Sequence, residues 1–218
     1  MSTKRASLRA FTIIATVIVA SCAPGGTRPV PSYDPYTSKL IQLTADLNGD
    51  GRQDQWTFLD GNRPLRAEAD TDGDGRVDRW EYYAAPASLV KVGSSSRSDG
   101  VEDTWTWAID ANGERRVDLS RARDRAIDRR EYFQGDVLVR ADEDTDLDGL
   151  LDKWERYEAG ALRQVEFDTT KQLGRPDRRL MYDAQGRFVS ISADPDGDGT
   201  FEPIREEPQK DLPQGARR

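Results

Sequence analysis

The chain has 218 residues, a formal net charge of -8, one cysteine and no histidine. The missing histidine excludes the usual zinc sites, His-based acid–base catalysis and Ser–His or Cys–His nucleophile pairs, and the acidic balance disfavours nucleic acid as a partner. Charged residues make up 33% against 36% hydrophobic, which predicts a single domain with a thin core.

In chain order, residues 1–21 combine a basic start (Lys4, Arg5, Arg9) with the apolar run "AFTIIATVIVAS". The run is too short and wrongly flanked for a spanning helix, and it reads as a secretory signal. It ends in "VASC", Val19 to Cys22, which resembles the bacterial lipobox. The resemblance implies that Cys22 is lipidated and becomes the new N-terminus, holding the protein on a membrane surface of the bacterial cell envelope without spanning it. Ala23, where an Asp would signal inner-membrane retention, points to the outer membrane. Loss of the signal with its three cations takes the net charge from -8 to -11. Residues 22–38 are rich in Pro, Gly and Ser and read as a flexible, lipid-anchored tether, residues 39–205 as the folded domain and residues 206–218 as a disordered tail.

Within the folded part, Asp70 to Glu81 reads "DTDGDGRVDRWE", with acids at positions 1, 3, 5, 9 and 12 and Gly75 at position 6. That is the order in which an EF-hand loop supplies oxygen to Ca2+. Aligned on position 9, the stretch recurs at Asp54, Asp78, Asp103, Asp128, Asp152, Asp177 and Glu202, in steps of 24 or 25 residues. Such regularity marks a repeat protein. Four copies keep the acids, and their candidate ligands are Asp46, Asn48, Asp50 and Asp54; Asp70, Asp72, Asp74, Asp78 and Glu81; Asp144, Asp146, Asp148, Asp152 and Glu155; and Asp194, Asp196, Asp198 and Glu202. Clustered carboxylates repel unless a divalent ion neutralises them, and flexible ligation by six or more oxygens suits Ca2+ better than Mg2+. Position 9 is expected within the ligand shell, with Glu81 and Glu155 at position 12 optional.

Three copies have lost the acids. Positions 1 and 3 are Ser95 and Arg97 in the third, Ser120 and Ala122 in the fourth, and Thr169 and Lys171 in the sixth. There Arg97, Lys171, Arg123 and Arg125 are expected to replace the ion by pairing with the remaining acids of their own loops. Position 9 persists even so, which assigns it a structural share of the work as a cap on the loop's backbone amides.

Spacing and composition between the loops decide the fold class. A helix on each side of a 12-residue loop does not fit a period of 24 to 25, and Gly61, Gly113, Gly135, Gly160 and Gly186 fall at mid-segment where a helix would break. Aromatic residues alternate after the loops (Trp56/Phe58, Trp80/Tyr82, Trp105/Trp107), and apolar pairs two apart precede the next loop (Val90/Val92, Val139/Ala141). The pattern predicts an all-β array of antiparallel hairpins, roughly a dozen strands, curling into a barrel-like or solenoidal sheet with the Asp loops along one edge.

The "DxDxDGxxD" ladder resembles the calcium loops of bacterial thrombospondin type 3-like repeats and EF-hand-like loops, and "YDAQGRF" (Tyr182 to Phe188) is similar to the YD-type hairpin repeats of bacterial surface proteins. The resemblance implies a Ca2+-binding, membrane-anchored structural or adhesion-type lipoprotein without catalysis. A module that grips cell-wall glycan or a protein partner through exposed aromatic rows is the alternative. Burial of Trp56, Trp80, Trp105 and Trp154 separates the two: covered rings favour the scaffold, a ring-lined groove favours ligand binding.

Overall fold

A computed structural model of the chain describes residues 28–170 and 174–204. They form 15 strands in one antiparallel sheet whose spatial order is the sequence order. The strands are β1 (Val30–Tyr33), β2 (Leu40–Ala45), β3 (Gln55–Asp60), β4 (Arg63–Ala69), β5 (Arg79–Ala84), β6 (Ser88–Ser94), β7 (Thr104–Trp107), β8 (Glu114–Leu119), β9 (Arg129–Gln134), β10 (Val137–Glu143), β11 (Lys153–Glu158), β12 (Ala161–Phe167), β13 (Arg178–Tyr182), β14 (Phe188–Ala193) and β15 (Glu202–Pro203). Cys22 and the signal and tail segments lie outside the described residues.

The all-β hairpin array agrees with the sequence reading. Two details differ. The sheet is open, not a barrel: β1 and β15 are its outer strands, and each strand meets only its sequence neighbours. The sheet also starts earlier than the tether boundary at residue 38 suggests, because Val30–Tyr33 pairs with β2 despite its proline. Pro31 is tolerated there because β1 is an edge strand, where one face of the backbone needs no ladder partner.

Each repeat has the same local logic. The Gly turns at residues 61, 113, 135, 160 and 186 all carry positive φ, the conformation a short hairpin connection demands. A register shift sits near the turn in hairpins β3–β4, β5–β6, β9–β10, β11–β12 and β13–β14. A bulge at the same place in these five hairpins adds the same increment of twist in each, whereas β7–β8 between them has none.

Packing is lateral. Among the described residues eight apolar side chains are buried, Trp80, Trp105 and Phe133 the largest, against seventeen polar or charged ones. Two of the buried acids are held by one ion-pair network within and across strands: Arg129 on β9 meets Glu131 on the same strand, Glu143 on β10 and Glu155 on β11, while Lys153 on β11 meets Glu143 and Glu155. Burial pushes the Glu155 carboxyl up, but Lys153, Arg129 and the Tyr157 hydroxyl outweigh it and hold it below the usual range. Trp56, Glu68, Trp80, Gly93, Trp105 and Asp118 form one register row. Beside it aromatic rings alternate with cations: Arg66 lies 4.7 Å from the Phe58 ring, Lys91 4.6 Å from Tyr82, Arg116 4.2 Å from Trp107 and Arg140 3.7 Å from Tyr132. Such contacts contribute roughly 0.5–1 kcal/mol each, and the long stems cover the rings that a second layer would otherwise cover.

Candidate metal centre

All seven Asp loops, residues 46–54, 70–78, 95–103, 120–128, 144–152, 168–177 and 194–202, join an even-numbered strand to the following odd-numbered one, so they share one edge of the sheet. Backbone hydrogen bonds tie them into a row. In loop 2 the position-9 amide of Asp78 donates to Ala69 O at 2.9 Å, and the position-1 amide of Asp70 donates back to Asp54 O of loop 1 at 2.9 Å. The second link recurs from loop to loop, at Ser95 to Asp78, Ser120 to Asp103, Asp144 to Asp128, Asp168 to Asp152 and Asp194 to Asp177.

Among the described residues, loops 1 to 5 and loop 7 each turn twice through the left-handed region. In loop 2 these residues are Gly73 (φ 79°) and Gly75 (φ 90°), at positions 4 and 6. Both turns aim amides inward. Asp70 accepts from Gly73 N at 2.7 Å and from Gly75 N at 2.7 Å, and Asp144 accepts from Leu147 and Gly149 at 2.7 and 2.8 Å. Asp46 and Asp194 bond the equivalent amides, those of Gly49 and Gly51 and of Gly197 and Gly199. Burial raises the Asp70 carboxyl, yet the Gly75 and Gly73 amides prevail and hold it lowered. Asp194 is lowered in the same way by Gly199 and Gly197, with help from Arg175. These amides make a nest for negative charge, which favours the ionised form of Asp70 and Asp194 among the other acids.

Position 9 closes the loop from the other side. Asp78 accepts from Thr71 N at 3.2 Å and Thr71 Oγ1 at 2.8 Å, and Asp152 from Thr145 N at 3.1 Å and Oγ1 at 2.7 Å. Asp54 takes the amides of Leu47 and Asn48, and Asp128 those of Arg121 and Ala122. The capping role expected for position 9 is present in loops with and without the acid ladder. Its partner, the Thr or Ser hydroxyl at position 2, was not anticipated, although "DTD" in loops 2 and 5 displays it.

Three groups of carboxylates converge among the described residues: Asp70, Asp72 and Asp78; Asp144, Asp146 and Asp152; and Asp194, Asp196 and Asp198, with one oxygen from each residue within 4.8 Å of the others. An oxygen that accepts an amide hydrogen keeps a second lone pair, so these groups offer a hard cation oxygen ligands in the order a calcium loop uses. Asp50, Asp74, Asp148 and Asp198 at position 5 accept the position-7 amide of their own loops, at 2.8, 2.8, 2.8 and 2.6 Å. In loop 1, Asn48 stands at position 3, and Asp46, Asp50 and Asp54 form no such group. Glu81 and Glu155 stand apart from the clusters, within strands: Glu81 is paired with Arg79 at 2.8 Å and Glu155 with Lys153 at 2.7 Å. Glu202 opens β15 and does not join the Asp194 group.

Expectations for the degenerate loops need correction. Loop 6 carries an inserted residue: Asp168, not Thr169, fills position 1, accepting from Gly174 N at 2.8 Å, while Thr169 fills position 2 and donates to Asp177. Loop 3 is not closed by its own Arg97; its acids Asp99 and Asp103 are held by Arg123 of loop 4, while in loop 4 Arg121, not Arg123 or Arg125, pairs with Asp128 at 2.8 Å. Lys171 lies outside the described residues.

The four tryptophans named from the sequence differ in burial. Trp80 and Trp105 are 8% and 7% exposed, and Trp56 and Trp154 are half-buried. Compared with known protein families and with curated proteins, the chain matches none.

Proposed function

We propose that this chain is a calcium-binding structural lipoprotein of the bacterial envelope, anchored through Cys22 to the outer membrane and exposing its row of Asp loops as a cation-stiffened edge. The observation that carries the reading is the convergence of acids from positions 1, 3 and 9 in loops 2 and 5, and from positions 1, 3 and 5 in loop 7. Two further features support it: inward amides favour the ionised form of Asp70 and Asp194, and the chain is acidic enough that bound divalent cations relieve its self-repulsion. The reading assigns the protein a scaffold or adhesion role and no catalytic step.

Calcium titration of the chain, read by calorimetry and tryptophan fluorescence, tests the proposal. The expected result is about four ions per chain, one for each acid loop, and a melting midpoint that falls when chelator is added. An unchanged melt in excess chelator together with no calorimetric signal would refute it.

A further inference from the structure

Loop 3 lacks acids at positions 1 and 3, and its centre is filled from outside. Arg123, at position 4 of loop 4, donates through Nη1 to Ser96 Oγ at 2.9 Å and to the Asp103 carboxylate, and through Nη2 to the Asp99 carboxylate. Its side chain is 13% exposed and that of Asp103 only 3%. Asp99 and Asp103 occupy positions 5 and 9, so the guanidinium sits among the oxygens that an acid loop offers to an ion. A planar fork with five donors satisfies two carboxylates and a hydroxyl at once, which the point charge of a lysine does not.

Position 4 takes a left-handed φ at Gly49, Gly73 and Gly197 in loops 1, 2 and 7, and also at the non-glycine residues Ser98 (52°), Arg123 (61°) and Leu147 (65°) in loops 3, 4 and 5. That conformation is strained for an L-residue, and at Arg123 the contacts to Ser96, Asp99 and Asp103 offset the strain.

We propose that loop 3 is a guanidinium site, occupied within the chain by Arg123, which clamps loop 3 to loop 4 without any metal. The clamp is independent of whether the acid loops take Ca2+. It divides the array into an ion-responsive part and an ion-free joint formed by loops 3 and 4.

The test uses the full chain in excess chelator, with amide hydrogen exchange as the readout. Ser96 N donates to Asp103 Oδ1 at 3.0 Å, so its exchange reports on loop 3 directly. Arg123→Ala is expected to cost Ser96 about tenfold or more in protection, as follows from losing charged hydrogen bonds, while Thr71 in loop 2 keeps its own. Millimolar methylguanidinium is expected to restore protection in Arg123→Ala, and methylammonium is not. Unchanged protection, or equal rescue by both cations, overturns the proposal. If Arg123→Ala does not fold, Arg123→Lys decides: its ammonium cannot span both carboxylates, so Ser96 loses protection, and parental protection in that variant overturns the guanidinium site. A calcium response lost or retained in parallel samples without chelator bears on the acid loops alone.

Discussion

Loops 2 and 3 are neighbours with the same backbone and different centres. In both, position 9 caps the position-2 amide and hydroxyl, and position 4 takes a left-handed φ, 79° at Gly73 and 52° at Ser98. In loop 2 three carboxylates converge, whereas in loop 3 two carboxylates surround the guanidinium of Arg123. The frame of the loop is thus separable from what fills it. Caps and left-handed turns shape the loop, and the filling is free to be acid or arginine.

The largest expected effect breaks the frame itself. Asp78→Ala and Asp103→Ala each remove a buried carboxylate that accepts an amide and a hydroxyl, so each should destabilise the chain by about 2–4 kcal/mol in denaturant unfolding measured in chelator. Similar costs in the two loops support a common frame. A harmless Asp103→Ala would mean that loop 3 is shaped by Arg123 alone.

Next comes the sheet behind these loops. Gly93 lies between Trp80 and Trp105 in their register row, and a Cβ there would collide with the Glu102 carboxylate. Glu102 comes from loop 3 and accepts the Tyr82 hydroxyl at 2.9 Å; burial first, and then this carboxylate, push the Tyr82 pKa up to about 12. Gly93→Ala should displace Glu102 and cost about 1–3 kcal/mol, the penalty for disturbing a buried charged hydrogen bond. The spectrophotometric tyrosine titration should then show one residue ionising at lower pH. An unshifted titration in a destabilised Gly93→Ala chain would leave Glu102 without the role assigned to it.

The smallest expected effect sharpens the contrast between loops 2 and 4. Position 6 is Gly75 at φ 90° in one and Arg125 at φ 73° in the other. Arg125→Gly should stabilise the chain by up to about 1 kcal/mol in denaturant unfolding, by removing left-handed strain from a residue with an exposed side chain. A loss of stability would show that the Arg125 side chain holds loop 4, as Arg123 holds loop 3.

Much of this architecture was legible in the sequence because it is local. A Gly at mid-segment, aromatic residues two apart and an Asp ladder every 24 or 25 residues each report on a few adjacent φ/ψ angles or on one face of one strand. The capping role of position 9 was legible for the same reason, since Asp128 persists where Ser120 and Ala122 have replaced the acids. What escaped were relations between repeats. Arg97 at position 3 of loop 3 lies nearer in sequence to Asp99 and Asp103 than Arg123 does, and only the side-by-side stacking of loops 3 and 4 brings Arg123 to them. The inserted residue in loop 6 was hidden because "DTT" aligns with either Asp168 or Thr169 at position 1, and the hydrogen bonds to Gly174 and Asp177 settle which. The choice between a barrel-like and a solenoidal sheet is not legible for a related reason. Cross-strand salt bridges and stacked cations let a sheet bury side chains laterally, so a thin core does not oblige it to curl onto itself.

The strictly sequential order of the strands has a mechanical consequence. A tensile load applied to the two ends acts across the sheet, so it meets the hydrogen bonds of one strand pair at a time and not of all pairs in parallel. The molecule then lengthens in steps as successive hairpins peel from an edge. Each repeat of 24 or 25 residues, about 10 Å wide as two folded strands, releases roughly 80–90 Å of extended chain. Such a sheet absorbs work over a long travel at low force, in the manner of a stitched seam that tears loop by loop.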